Sequence, residues 1–102
     1  MSKLTDNMIG KKVIARGDSS GVFYGTLAEQ DGQEVRLTNV RNIWAWSGAR
    51  CLMDMAKSGV NDPANCKFSV ILSEIVMTDC IQILPATDKA ISIIEQVPEW
   101  TV

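Results

Sequence analysis

Asp31-Gly32 stands between two runs of β-forming residues, and this constrains the fold more than any other feature of the chain. An Asp-Gly pair so placed is among the strongest short-range signals for a β-hairpin. The preceding run, Gly21-Val-Phe-Tyr-Gly-Thr-Leu27, is aromatic and β-branched and predicts a strand. The following run, Glu34-Val-Arg-Leu-Thr-Asn-Val40, alternates polar and apolar residues with period two, as a half-buried strand does. Upstream, Lys12-Val-Ile-Ala-Arg16 ends at Gly17-Asp-Ser-Ser-Gly21, a segment of turn formers. Three antiparallel strands in a meander follow. Arg41-Asn-Ile-Trp-Ala-Trp46 either extends the third strand past a bulge or forms a fourth.

Beyond Trp46 the period changes. Ser47 is placed to cap a helix running through Lys57 and stopped by Gly59, with Ala49, Leu52, Met53 and Ala56 as its apolar stripe. Residues 60–66 read as a loop, and Phe68–Leu72 and Ile75–Leu84 supply one or two more strands before Pro85. Thr87 opens a second helix with the stripe Ala90, Ile93, Ile94 and Val97, ended by Pro98, and residues 99–102 form a short tail. The expectation is an α+β domain, an antiparallel β-meander sheet or small open barrel of about five strands with two covering helices. Residues 1–8 read as a polar lead-in and 9–102 as one globular domain, which suits a chain of 102 residues.

Composition narrows the chemistry. Ten Lys and Arg against twelve Asp and Glu give a net charge of −2, without the basic excess of a protein that grips duplex nucleic acid. No His is present, which removes the commonest general base and the Ser–His and Cys–His nucleophile pairs. Three Cys without a CxxC pair make a structural metal site unexpected, and no cofactor fingerprint is found. Met1–Met8 has no apolar core of a leader and no run is long enough to span a bilayer, so a cytoplasmic protein with reduced thiols is expected. An enzyme ranks last.

Two segments carry residue types suited to a ligand. In Arg16-Gly-Asp-Ser-Ser-Gly21, backbone N–H groups can form an anion-holding nest, with Ser19 and Ser20 donating and Arg16 adding a charged fork; a plain hairpin turn has the same composition. In Asn39-Val-Arg-Asn-Ile-Trp-Ala-Trp46, an extended strand points Asn42, Trp44 and Trp46 one way and Ile43 and Ala45 the other, with Arg41 and Asn39 next to the indole pair in sequence. Two indoles on one face suit stacking on flat bases, worth roughly 1–3 kcal/mol per base, while Arg41 pairs with phosphate and Asn39 reads a base edge. Tyr24 is a weaker stacking candidate. The same indoles suit a core or a subunit interface equally well.

Three blocks together resemble a widespread family of short proteins of tailed phages and prophages, a domain of unknown function. The family pattern Val-Ile-Arg-Thr-Tyr-Ser-Ala-Gly-Val-His-Phe-Gly-Thr-Leu is matched by Val13–Leu27, which keeps the Arg, the Ser-x-Gly-Val and the closing Gly-Thr-Leu. Asp18 and Phe23 stand where the family has Tyr and His. Asn39-Val-Arg-Asn-Ile-Trp-Ala-Trp-Ser-Gly-Ala49 resembles the family's Asn-Ala-Arg-Arg-Ile-Trp-x-Trp-x-Gly-Ala, and a third block covers Cys66–Val70, Glu74–Val76 and Ile81–Pro85. The resemblance implies an accessory phage protein. Some very small β-rich phage proteins are homo-oligomeric sponges that sequester cyclic nucleotide signals of bacterial defence, and this chain looks like a candidate for that class. The expectation is therefore a homodimer or homotetramer holding a cyclic dinucleotide with Arg16, Ser19, Ser20, Tyr24, Asn39, Arg41, Trp44 and Trp46. The alternatives are a module that docks on a host protein through the Trp face, and a weak nucleic-acid binder using Lys11, Lys12, Arg16, Arg36 and Arg41.

Overall fold

The structure is a computed structural model that describes residue 4 and residues 6–100. Part of the polar lead-in (1–3 and 5) and the last two tail residues lie outside the described residues. In chain order the elements are β1 (Lys12–Gly17), β2 (Val22–Asp31), β3 (Glu34–Ala45), α1 (Leu52–Ser58), β4 (Lys67–Phe68), β5 (Leu72–Met77), β6 (Cys80–Pro85) and α2 (Asp88–Ile94). The fold is the expected α+β open antiparallel sheet with two helices, built on six strands.

The order β4-β3-β2-β1-β6 runs across the sheet, and β5 pairs with the first part of the same β3 edge that β4 occupies further on. The β2–β3 hairpin turns one residue later than the Asp-Gly signal implies. Asp31 faces Glu34, so Gly32 and Gln33 make the loop, and Gly32 at φ 61° supplies the positive φ that a II′ turn needs first. Strand β3 continues through Arg41 to Ala45, so the extension past a bulge is the alternative observed.

Val13, Ile14 and Ala15 are all fully buried, because β1 lies mid-sheet with apolar clusters on both faces. Ile14 packs with Tyr24, Ile43, Phe68, Leu84 and the helix residues Met55, Ala90 and Ile94. Val13 and Ala15 face Leu27, Val35, Leu37, Val40 and Met77 on the other side. A strand buried on both faces reads as a continuous apolar run, which is how Lys12–Arg16 appears in sequence.

The first helix departs from expectation. It begins at Leu52, and Ser47 is no cap: its N–H meets Cys66 Sγ and its hydroxyl donates to Asp62. The Trp46 indole N–H donates to Ala49 O at 3.2 Å, which closes residues 46–49 into a turn. Of the expected stripe Ala56 is buried, joined by Met55, and Met53 is left 67% exposed. The second helix starts as expected but ends at Ile94, short of Pro98. Thr87 Oγ1 accepts from Ala90 N–H, and Ala90, Ile94 and Val97 are buried.

Candidate functional site

Arg16 sits in β1 opposite Val22 on one neighbour and Gln82 on the other, and these three cross-strand partners form the floor of an open cleft. Its wall is the stretch from Trp46 through Arg50 to Leu52 and Met53. The cleft has a volume of about 510 Å³, within the range of small-molecule sites. Arg16 is exposed and makes no ion pair among the described residues. Arg50 is paired with Asp54 through an exposed i,i+4 contact of 2.7 Å, a type of bridge that contributes little and exchanges readily. The lining thus offers two guanidinium groups, an indole and an amide, and no carboxylate. A neighbouring cleft of about 580 Å³ shares Arg50 but is lined by Asp54 and Asn61, with no aromatic group, so it suits an anionic ring compound less well.

The Ser19–Ser20 turn does hold an anion, and the anion belongs to the chain itself. The backbone N–H groups of Ser19 and Ser20 donate to Asp79 Oδ2 at 2.8 and 3.0 Å, and Ser20 Oγ donates to Oδ1 at 2.6 Å. These bonds tie the β1–β2 turn to the β5–β6 turn. The Ser20 hydroxyl first, then the Ser19 N–H, hold the Asp79 carboxyl down from its ordinary 3.8 to about 2. The charged form is therefore favoured by folding, and its stabilisation is complete above about pH 4 and lost as pH falls towards 2. Asp79→Asn is expected to lower the urea midpoint at neutral pH, and its difference from wild type should shrink progressively below pH 4. Parallel urea titrations from pH 7 to pH 2.5 check this.

The other expected site residues lie elsewhere. Arg41 is buried, 3% exposed. Its guanidinium donates to the carbonyls of Ser69 at 3.2 Å, Ile94 at 3.2 Å and Val97 at 2.7 Å, and it lies over the Phe68 ring. Burial lowers its pKa, opposed by the nearby Glu99 charge. Arg41 faces inward to the end of α2 and is not placed to receive a phosphate. Tyr24 is likewise in the core, with its hydroxyl donating to Glu95 at 2.9 Å; burial first, then that bond, raise its pKa. No free ring face remains for stacking there. Asn39 is exposed at a bulge in β3 with φ 48°, a left-handed position that Asn tolerates well, and it is not part of the cleft lining.

The two indoles part company. A second bulge, between Ile43 and Ala45, interrupts the alternation, and the strand ends at Ala45. Trp46 packs against the core and lines the cleft, whereas Trp44 is 65% exposed and meets Trp100 edge-on at 4.8 Å between ring centroids. Lys67 lies over the Trp100 ring at 4.9 Å. The expected basic strip does not assemble either. Lys12 pairs with Glu95, Arg36 with Glu29 and Glu74, and Arg41 is buried.

The structure adds Arg50 and Gln82 to the site. Arg50 follows Trp46 within the same turn, and that proximity in sequence was the available signal; Gln82 arrives only through the long-range β1–β6 pairing. Among the described residues no three His, Cys, Asp or Glu side chains converge to hold a metal ion, and no helix is long and apolar enough to cross a membrane.

A family model described as a domain of unknown function (DUF6948) matches residues 10–94, which is most of the chain. No curated protein matches it. The β-sheet, both helices and the Arg16–Trp46 cleft all fall within the matched span. The chain belongs to this family.

Proposed function

We propose that this member of the DUF6948 family is a binding protein that retains a small phosphorylated ring compound, of the cyclic dinucleotide class, in the cleft between Arg16, Trp46 and Arg50. The observation that carries the reading is the Arg16 guanidinium, without an ionic partner among the described residues, in a cleft it shares with an indole. A guanidinium forks onto a phosphate with two parallel N–H bonds, and an indole edge or face covers an adjoining base. The lining has no carboxylate or imidazole to move a proton, which suits capture and slow release over turnover. In this reading the protein is a phage-encoded sponge acting in the cytoplasm of an infected bacterium, and it keeps a nucleotide alarm signal from its effector.

Calorimetry with a panel of cyclic di- and trinucleotides tests this. Arg16→Ala is expected to weaken binding by on the order of 10- to 100-fold, as loss of charge-assisted hydrogen bonds does. Cys51 adds a second readout. It lines the same cleft and is exposed, whereas Cys66 and Cys80 are buried, so bound ligand should slow its reaction with a thiol reagent. Absence of heat across the panel, or an Arg16→Ala protein that binds like wild type, overturns the reading.

The exposed Trp44–Trp100 pair favours a second reading, docking on a host protein through that surface. Trp44→Ala separates the two: it leaves nucleotide binding intact if the cleft is the site, and it abolishes capture of a stoichiometric host partner if the indole pair is.

A further inference from the structure

The Arg16 cleft does not end at Met53. Met53 and Gln82 also line a second cavity of about 400 Å³, so the two adjoin along a groove between α1 and β6. The second lining is largely apolar, with Ala56, Leu84 and Pro85, and Met53 between the cavities is 67% exposed. The bonds from Thr87 N–H to Ala56 O, 2.9 Å, and from Thr87 Oγ1 to Lys57 O, 2.5 Å, tie the last turn of α1 to the segment after β6. They use the main chain of Lys57 and leave its side chain to line the cavity. Lys57 is exposed and makes no ion pair among the described residues. Asp54 senses its charge, but that carboxylate is bonded to Arg50 and lines the neighbouring cleft. No carboxylate lines either part of the groove.

We propose that the second cavity is a subsite for the second nucleotide of a bound cyclic dinucleotide, with Lys57 as its phosphate anchor. The proposal rests on the reading of the Arg16 cleft as a phosphate-and-base site. Charge complementarity selects the occupant. Each part of the groove carries a cation without an ionic partner among the described residues, Arg16 in one and Lys57 in the other, so the groove suits a ligand with two anionic groups. The apolar surface between them suits a flat ring. Met53 lies one turn of α1 before Lys57, about 6 Å along the helix axis, and its flexible thioether adapts to the ring it meets. A mononucleotide fills the Trp46 part alone and leaves Met53 and Pro85 in water, whereas a second base covers them. Gln82, shared by both cavities, offers an amide to either base edge.

Calorimetry with cyclic di-AMP, cyclic di-GMP and cyclic GMP-AMP beside AMP and GMP tests this. The best cyclic dinucleotide is expected to bind on the order of tenfold or more tighter than its mononucleotide, from the added base contact. Lys57→Ala, a change at an exposed side chain checked for folding by circular dichroism, is expected to weaken the dinucleotide about 5- to 20-fold and to leave the mononucleotide unchanged. Arg16→Ala weakens both, which separates the two assignments. A mononucleotide that binds as tightly as the dinucleotide overturns the subsite and leaves the Arg16 cleft standing, as does a Lys57→Ala protein that holds the dinucleotide like wild type. A wild-type dimer in sedimentation equilibrium that Met53→Glu splits also overturns it, because a second copy then fills the cavity. No heat with any of these compounds overturns the cleft reading and the subsite together.

Discussion

Replacing Arg41 by Met is expected to lower the unfolding free energy by about 3–5 kcal/mol, among the largest effects of any single change in this chain. The guanidinium donates to three main-chain carbonyls, those of Ser69, Ile94 and Val97, the last two at and just beyond the end of α2. Met fills much of the same volume but donates nothing, so the carbonyls of Ser69 and Val97 lose their donor, while Ile94 O keeps the Val97 N–H. Each orphaned carbonyl costs about 1–3 kcal/mol, and loss of the cation over Phe68 adds to the total. For a domain of this length each 1 kcal/mol corresponds to roughly 4–8 °C in Tm, so thermal unfolding shows the change plainly. Arg41→Lys recovers only part of it, because one ammonium cannot span carbonyls on two separate elements. Below its new Tm the Arg41→Met protein should bind ligand in the Arg16 cleft as wild type does. Loss of binding with unchanged stability contradicts this assignment.

Gly48→Ala is expected to cost about 2–4 kcal/mol and to weaken ligand binding as well. Gly48 has φ 88°, and a Cβ there falls 2.5 Å from Asn61 N and 2.6 Å from Asp62 N. Both obstacles are backbone, so no side-chain rotation relieves them. The bond from Asn61 N–H to Gly48 O, 3.1 Å long, is strained by the same displacement. The segment that must move joins Trp46 to Arg50, the cleft wall. Denaturant unfolding reports the stability loss, and faster reaction of Cys51 with a thiol reagent reports the loosened wall. An Ala variant as stable as wild type contradicts the close approach.

Much of the fold was legible because local signals and global packing agree over long stretches. The apolar run at Val13–Ala15, the alternation in Glu34–Val40, the Thr87 cap and the Ala90, Ile94, Val97 spacing each predict what forms. The site was less legible because its reading assumed unbroken period-two alternation through residues 39–46. Two bulges in β3, at Asn39 and at Trp44, break that alternation. The indoles are separated as a result, and Arg41 lies beneath α2. A charged residue in a strand reads as exposed unless the carbonyls it will serve are known, and those of Ile94 and Val97 lie 53 and 56 residues away. The Ser19–Ser20 nest was recognisable as an anion holder, but its occupant, Asp79, is 60 residues distant from Ser19.

The order of strands across the sheet bears on how the protein emerges from the ribosome. Strands β1, β2 and β3 are consecutive in sequence and adjacent in space, so the nascent meander can pair as soon as residue 45 clears the exit tunnel. The far side of β1 stays uncovered until residues 80–85 are made and β6 is laid against it. At typical synthesis rates of about 5–20 residues per second, that flank is open for several seconds. Chaperone capture during translation should therefore centre on Val13–Gly17 and cease once β6 has docked.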